Sequence, residues 1–202
     1  MKAVSFRLAH LALALTSGMT LCVPASFAAD GNGKYSVRGL GGHSCADYLA
    51  AAGKPAEVGA YSSWLLGYAT ARSRLEAATF DMLPTQDGLD FVNVVSAVCR
   101  QQQSALLETV VDQTLRLLAP LRQAAETPLV QMQADNKSVS IRQDSLRRLQ
   151  TALIARKFYK GTVTGVSSAQ FVDALKAFQR KEGIAATGLP DIDTFIRAII
   201  KH

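Results

Sequence analysis

Histidine is scarce. The chain has three in 202 residues, and beyond residue 29 only His43 and His202 are left. That is too few for the histidine-rich zinc sites of amidases and peptidases. Cysteine is as sparse, with Cys22, Cys45 and Cys99. Cys99 falls in a helical pattern with no histidine near it, which excludes the usual activated thiol nucleophile. His43 stands two residues before Cys45, but no second cluster of ligands completes a metal site. It is expected as a surface histidine, and no metal or cofactor is expected. Glu57, Glu76 and Glu108 are the candidates for a lytic reaction that needs a single acid. Each lies in an ordinary helical context, where a solvated glutamate is the commoner outcome. No catalytic residue is expected.

Long apolar runs are also few. The first follows Lys2 and Arg7, extends from Leu8 to Val23, and gives way to Pro24 and "ASFAAD". This is the plan of a secretory signal peptide, with cleavage after Ala28 or Ala29. The run is short for a membrane anchor, is softened by "TSGMT", and no stop-transfer pattern follows. Leu21 in front of Cys22 speaks against a lipid-modified cysteine. The expectation is export to the periplasm, with no integral membrane span after cleavage. The remaining Cys45 and Cys99 then suggest a disulfide, the alternative being two buried thiols. Such a bridge would contribute on the order of 4 kcal/mol. Its reduction is expected to lower the melting point of the first module only.

Charge is distributed unevenly. Residues 30–130 carry eight Lys and Arg against ten Asp and Glu, a net of −2. Residues 131–202 carry twelve against six, a net of +6. A basic half suits an anionic polymer, or is simply a solvated surface. Nucleic acid is not an expected partner of an exported chain.

Residues 30–42 are glycine-rich and polar. Four helical patterns follow. The first runs from about Ser44 to Ala52, with Gly53 after it. Pro55 suits the first turn of the second, in which Tyr61, Trp64, Leu65, Tyr68 and Leu75 share a face and read as core. Asp87 is the expected N-cap of the third, which carries Phe91, Val94, Val95, Val98 and Cys99. The fourth spans about Ser104 to Leu121. It has a polar stripe of Glu108, Asp112 and Arg116 and a broad apolar face including Leu107, Val110, Val111, Leu117, Leu118 and Leu121.

"HSCADYL", "YSSWLLGYATA", an Asp-containing loop and "VVSAVC" together resemble the small periplasmic proteins of the HdeA/HdeB type, over about residues 43–118. The resemblance implies a small, all-helical, disulfide-linked module. The best-known members are acid-activated chaperones.

From Pro120 to about Val139 the pattern weakens into "RQAAETPLVQMQADNKSVS", which reads as a linker. Ser140 with Gln143 is a capping-box signature before a helix that buries Leu146, Leu149, Leu153 and Ile154. Ser167 with Gln170 is a second, before Phe171, Ala174, Leu175 and Phe178, with Gly183 ending that helix. Asp191 is the expected cap of a third carrying Ile192, Phe195, Ile196 and Ile199. "LRRLQTALIARKFYKGTVTG" and "ALKAFQRKEGIAATGLPDIDTF" closely resemble the three-helix bacterial peptidoglycan-binding domain, over about residues 142–200. The matching residues include Leu149, Gln150, Leu153, Tyr159, Gly161, Gly165, Phe178, Gln179, Gly188, Asp191 and Thr194. Gln150 and Gln179 recur at equivalent places and are expected to hold loop backbone. Two departures are Thr164, where the family has Asp, and the Ser168 and Phe171 positions at the second helix start.

The sequence therefore predicts an all-α protein, two small helical bundles joined by a linker after a cleaved signal peptide. The expected division is 1–29 signal peptide, 30–120 HdeA-like domain, 121–139 linker and 140–202 peptidoglycan-binding-like domain. The expected partners are peptidoglycan and a protein bound by the first domain. Tyr159, Gln179 and Asp191 are the candidate ligand contacts, combining stacking and hydrogen-bonding ability near loop ends.

Overall fold

The computed structural model describes residues 29–201, so the signal-peptide expectation lies outside the described residues. Residues 29–36 belong to a separate unit and hold a local turn. There the Asp30 carboxylate accepts from the Asn32 and Lys34 amides at 2.9 and 2.7 Å. From Val37 onward the chain is one unit.

That unit is mostly helical, with seven α-helices among the described residues. A short 3-10 turn, Gly39–Gly42, precedes α1, Cys45–Ala50. A helix this short does not hold itself in water. Ser44 and Asp47 cap it reciprocally, the Asp47 amide donating to Ser44 Oγ at 3.1 Å. The Cys45 amide donates to Ala105 O at 2.9 Å, which ties the start of α1 to the approach of α4. Gly53 has φ +87° in the turn beyond α1, a conformation natural only to glycine.

The second helix, α2, spans Pro55–Leu75 with Pro55 in its first turn. It buries Tyr61, Leu65 and Ala69, while Trp64 and Tyr68 are half-buried. Leu75, expected in the core, is 76% exposed at the helix end. Gly41 lies flat beneath the Trp64 indole, where an added Cβ would sit 2.1 Å from the ring. Helix α3, Gly88–Gln101, begins at the Asp87 cap as expected and buries Phe91, Val95 and Cys99. Cys99 is joined to Cys45 by a disulfide, and both are fully buried. Helix α4, Leu107–Leu118, is the central element, with Leu107, Val110, Val111, Leu115 and Leu118 all at zero exposure. The 3-10 turn Ala119–Leu121 prolongs it.

The segment read as a linker is where the all-helical expectation fails. It builds an antiparallel hairpin of β1, Leu129–Ala134, and β2, Lys137–Arg142, paired from Leu129↔Arg142 to Ala134↔Lys137. The physical reason is a period-two pattern: Met132 and Ala134 on β1 and Ile141 on β2 face the core. Asp135 takes φ +52° at the tip, which aspartate tolerates better than most residues. The residues before the hairpin are also held. Gln123 is 1% exposed and exchanges backbone bonds with Asp81, while its side-chain amide donates to Leu83 O at 2.6 Å.

Helix α5 spans Gln143–Ala155, α6 Ala169–Lys181 and α7 Ile192–Phe195, the last continued by a π-helical turn Ile196–Ile200. Ser140 does not cap α5, because it is paired in β2; Arg142 stands at the N-cap instead. The cap of α6 is Ser168, not Ser167, and accepts from the Phe171 amide at 3.2 Å. Asp191 caps α7 as expected. Ile154 and Leu117, both assigned to buried faces, are 38% and 50% exposed.

The buried apolar side chains form one continuous cluster from Cys45 to Ala198. Arg148 on α5 reinforces the junction by donating to Leu121 O and Arg122 O, each at 3.0 Å, and to Pro120 O. Arg142 donates to Thr127 O at 2.6 Å, and its guanidinium lies 4.8 Å over the Phe80 ring.

Candidate functional site

Two buried glutamines organise the loops of the last three helices. Gln150 on α5 accepts from the Thr164 and Gly165 amides at 3.0 and 2.8 Å and donates to Val166 O at 2.9 Å. Gln179 on α6 accepts from the Gly188 amide at 2.9 Å and donates to Leu189 O at 2.9 Å and Thr194 Oγ1 at 3.1 Å. Each amide carries both a donor and an acceptor, so one side chain closes a loop that would otherwise bury unpaired backbone. Both glutamines are at zero exposure. Gly165 has φ +71°, and a Cβ there would lie 2.9 Å from Gln143 O. That position accepts only glycine without movement.

The three residues expected as ligand contacts lie in different surroundings. Tyr159 is 6% exposed, with its ring edge-on to that of Phe171, centroids 5.2 Å apart, and Gly161 lying against its phenol. Gln179 has no exposed surface, and its amide is used inside the fold. Asp191 is half-buried, and its Oδ1 accepts from the Thr194 amide at 2.8 Å and hydroxyl at 2.6 Å. Position in the motif was legible in the sequence; depth was not.

The feature that sequence reasoning missed is a groove of about 700 Å³ between α5 and the π-helical turn that follows α7. Ala152, Ala155, Ala198 and Ile199 form its apolar floor, and Arg147, Arg148 and Arg156 line its sides. Arg148 and Arg156 are anchored on backbone carbonyls, Arg156 Nε on Ala198 O at 2.9 Å. Their positions are therefore fixed before any ligand arrives. Burial pushes the Arg148 guanidinium below the usual arginine value.

The candidate lytic glutamates are in structural roles. Glu57 is exposed and pairs with Lys54 at 3.2 Å. Glu76 pairs with Arg72 at 3.5 Å. Glu108, expected on a solvated stripe, is only 4% exposed and accepts from the Tyr68 hydroxyl at 2.7 Å. His43 is exposed, as expected, with Nδ1 2.7 Å from the Tyr61 hydroxyl. Among the described residues no group of three His, Cys, Asp or Glu is placed to hold a metal ion, and no helix is long and apolar enough to cross a membrane.

One carboxylate departs clearly from ordinary behaviour. Burial pushes Asp90, on α3, from 3.8 up to about 6; the nearby Thr85 hydroxyl opposes the shift, and the Asp191 and Asp87 charges add to it. A pKa raised by folding means that the native state holds this proton more tightly than the unfolded chain. The resulting stabilisation is complete below 3.8 and is lost as the pH rises through about 6. For a half-buried group, screened by solvent, the change is about 1 kcal/mol. Asp90→Asn does not titrate. The stability of the parent chain relative to this variant should therefore fall by about that amount between acid and neutral pH, as measured by urea unfolding. A constant difference would show that Asp90 titrates normally.

No curated protein and no solved structure matches this chain. Residues 142–197, which carry both glutamine-closed loops and helices α5 to α7, match the family described as a putative peptidoglycan binding domain.

Proposed function

We propose that the protein is a non-enzymatic, wall-associated binding protein, exported to the periplasm, that holds peptidoglycan through residues 140–202. The observation that carries this reading is the family match over residues 142–197. The groove supports it: its size falls within the range of small-ligand sites. Its apolar floor suits the face of a sugar ring, and the arginine sides suit the carboxylates of a muropeptide. Tyr159 and Asp191, the contacts expected from the motif, do not line this groove; in this reading they shape the loop ends beside it. Gln179 acts from behind, by shaping the 187–189 loop.

The helices before residue 121 serve, in this reading, to present a disulfide-braced surface to a protein partner, and exposed Leu75 and Leu89 suit such a contact. A tethered HdeA-like chaperone or toxin inhibitor is the alternative. Acid activation fits poorly. Burial raises the pKa of both Asp81 and Asp90, so through these groups acid favours the folded state instead of opening it.

The test is co-sedimentation with purified sacculi. The chain should bind, and Arg147→Glu, on the groove, should weaken binding roughly tenfold. Lys54→Glu and Arg74→Glu, on exposed positions of the first half, should leave it unchanged. No sedimentation, or loss confined to the Lys54 and Arg74 variants, would overturn the assignment.

A further inference from the structure

A second cleft, of about 290 Å³, opens where α3 meets β2 and the approach to α7. Asp87 and Asp90 line it from α3, Thr85 from the preceding loop, Ser138 and Ser140 from β2, and Pro190 closes one end. Among the described residues that line it there is no Lys, Arg or His. Thr85 is 6% exposed, and its Oγ1 makes no hydrogen bond, although it lies close enough to Asp90 to favour that carboxylate's charge. A buried hydroxyl without a partner is costly and marks an unfilled acceptor or donor role.

We propose that this cleft binds a primary ammonium group, and specifically the free amine of the diamino-acid side chain in an uncrosslinked peptidoglycan stem. The proposal rests on the wall-binding reading above and deepens it. An ammonium offers three N–H donors on a narrow alkyl stem. The cleft offers the Asp90 carboxylate, the Thr85 hydroxyl and the β2 serines as acceptors. Its volume is at the low end of small-ligand sites, enough for an aminoalkyl end while the glycan stays outside. A divalent metal would need a richer carboxylate set than the described residues provide. In a peptidoglycan whose other groups are hydroxyls, amides and carboxylates, the unreacted side-chain amine is the cation. Crosslinking converts it to an amide and removes the charge.

The proposal carries a pH dependence. The charged groups facing Asp90 are Asp87 from its own helix and Asp191 from the start of α7; β2 and the 84–86 loop contribute only neutral groups. Both aspartates disfavour its ionisation, and an ammonium reverses that repulsion. Amine binding should therefore draw a proton off Asp90, and affinity should fall as the pH drops through about 6.

The experiment uses the full chain with two pairs of probes. The first pair is Nα-acetyl-lysine amide and its Nε-acetylated form, followed by amide chemical shifts near neutral pH. The second pair is untreated sacculi and sacculi whose free amines have been acetylated. The free lysine amine should shift Thr85, Asp90 and Ser140, and its acetylated form should not. Acetylation of sacculi should weaken binding several-fold, about 1 kcal/mol or less, and Asp90→Asn should abolish the difference. If Asp90→Asn fails to fold, Thr85→Val removes the hydroxyl with little change of shape and serves instead. Equal binding to both kinds of sacculi, with no lysine shifts at the cleft, would overturn the ammonium site and leave wall binding intact. Failure to bind either kind would overturn wall binding, and the lysine titration would still decide the cleft.

Discussion

Reducing the Cys45–Cys99 disulfide should destabilise the fold by about 4 kcal/mol, because it releases a loop of this length in the unfolded chain. The two cysteines are 54 residues apart, and the entropy removed by a crosslink grows with the logarithm of that separation. Native contacts sharpen the effect. Helix α1 has six residues and depends on its attachments. Apart from the disulfide these include the Ser44–Asp47 cap, the Cys45 and Ala46 amide bonds to Ala105 O and Gln103 O, and the Tyr48 hydroxyl 2.8 Å from Ser96 Oγ. The sequence alone suggested that only a first module would feel the loss. The structure points elsewhere, since one buried cluster runs from Cys45 to Ala198. Reduction should shift a single cooperative transition, by on the order of 10 °C. Trp64 fluorescence reports the first half, and amide exchange in α6 reports the second. Two separate transitions, with α6 unaffected by reduction, would show that the halves fold independently.

The parts of the fold that were legible in the sequence are those settled within one helix or one loop. Asp87 and Asp191 as caps, Pro55 in a first turn and the Phe171–Phe178 face all depend on neighbours a few residues away. The glutamine hubs were legible for the same reason, because Gln179 reaches Gly188 and Leu189 only nine and ten residues on. The hairpin was hidden by composition. Its exposed face carries Gln131 and Gln133, so taken as a whole the segment is as polar as a linker, while only the alternate positions such as Met132 are buried. The alternation of "LVQMQA" and the Asp135–Asn136 pair were the available signals.

What failed elsewhere were properties set by distant partners. Glu108 sits on a polar stripe by its spacing, but Tyr68 of α2 reaches it across 40 residues and draws it inside. Asp90 follows the Asp87 cap by three residues, and nothing in that spacing marks it as buried. Its burial comes from a cleft that β2 and Pro190 help to form. Burial of a charge is a tertiary property, and no local periodicity encodes it.

Gln179→Leu should destabilise the chain by about 2 kcal/mol and loosen wall binding with it. Leucine is close in size to glutamine, so the change removes hydrogen bonds while leaving little cavity. It strands the Gly188 amide, bonded to Gln179 at 2.9 Å in the parent fold, and leaves the Leu189 carbonyl with the Thr187 hydroxyl at 3.0 Å as its remaining donor. A buried orphan costs about 1–3 kcal/mol. Thr194, also at zero exposure, loses a donor but keeps Asp191 at 2.6 Å, so its share is small. A second variant separates hydrogen bonding from packing. In Gln179→Glu an ionised carboxylate still accepts from Gly188 but confronts the Leu189 carbonyl oxygen, whereas the protonated acid can donate to it. This variant should therefore approach parental stability as the pH falls toward the carboxylate range, while the leucine variant should not. Urea unfolding of both across pH is the measurement. A leucine variant within about 1 kcal/mol of the parent would show that water or backbone movement satisfies the loop. Gln179 would then be only a packing residue, and the 187–189 loop would hold its shape without it.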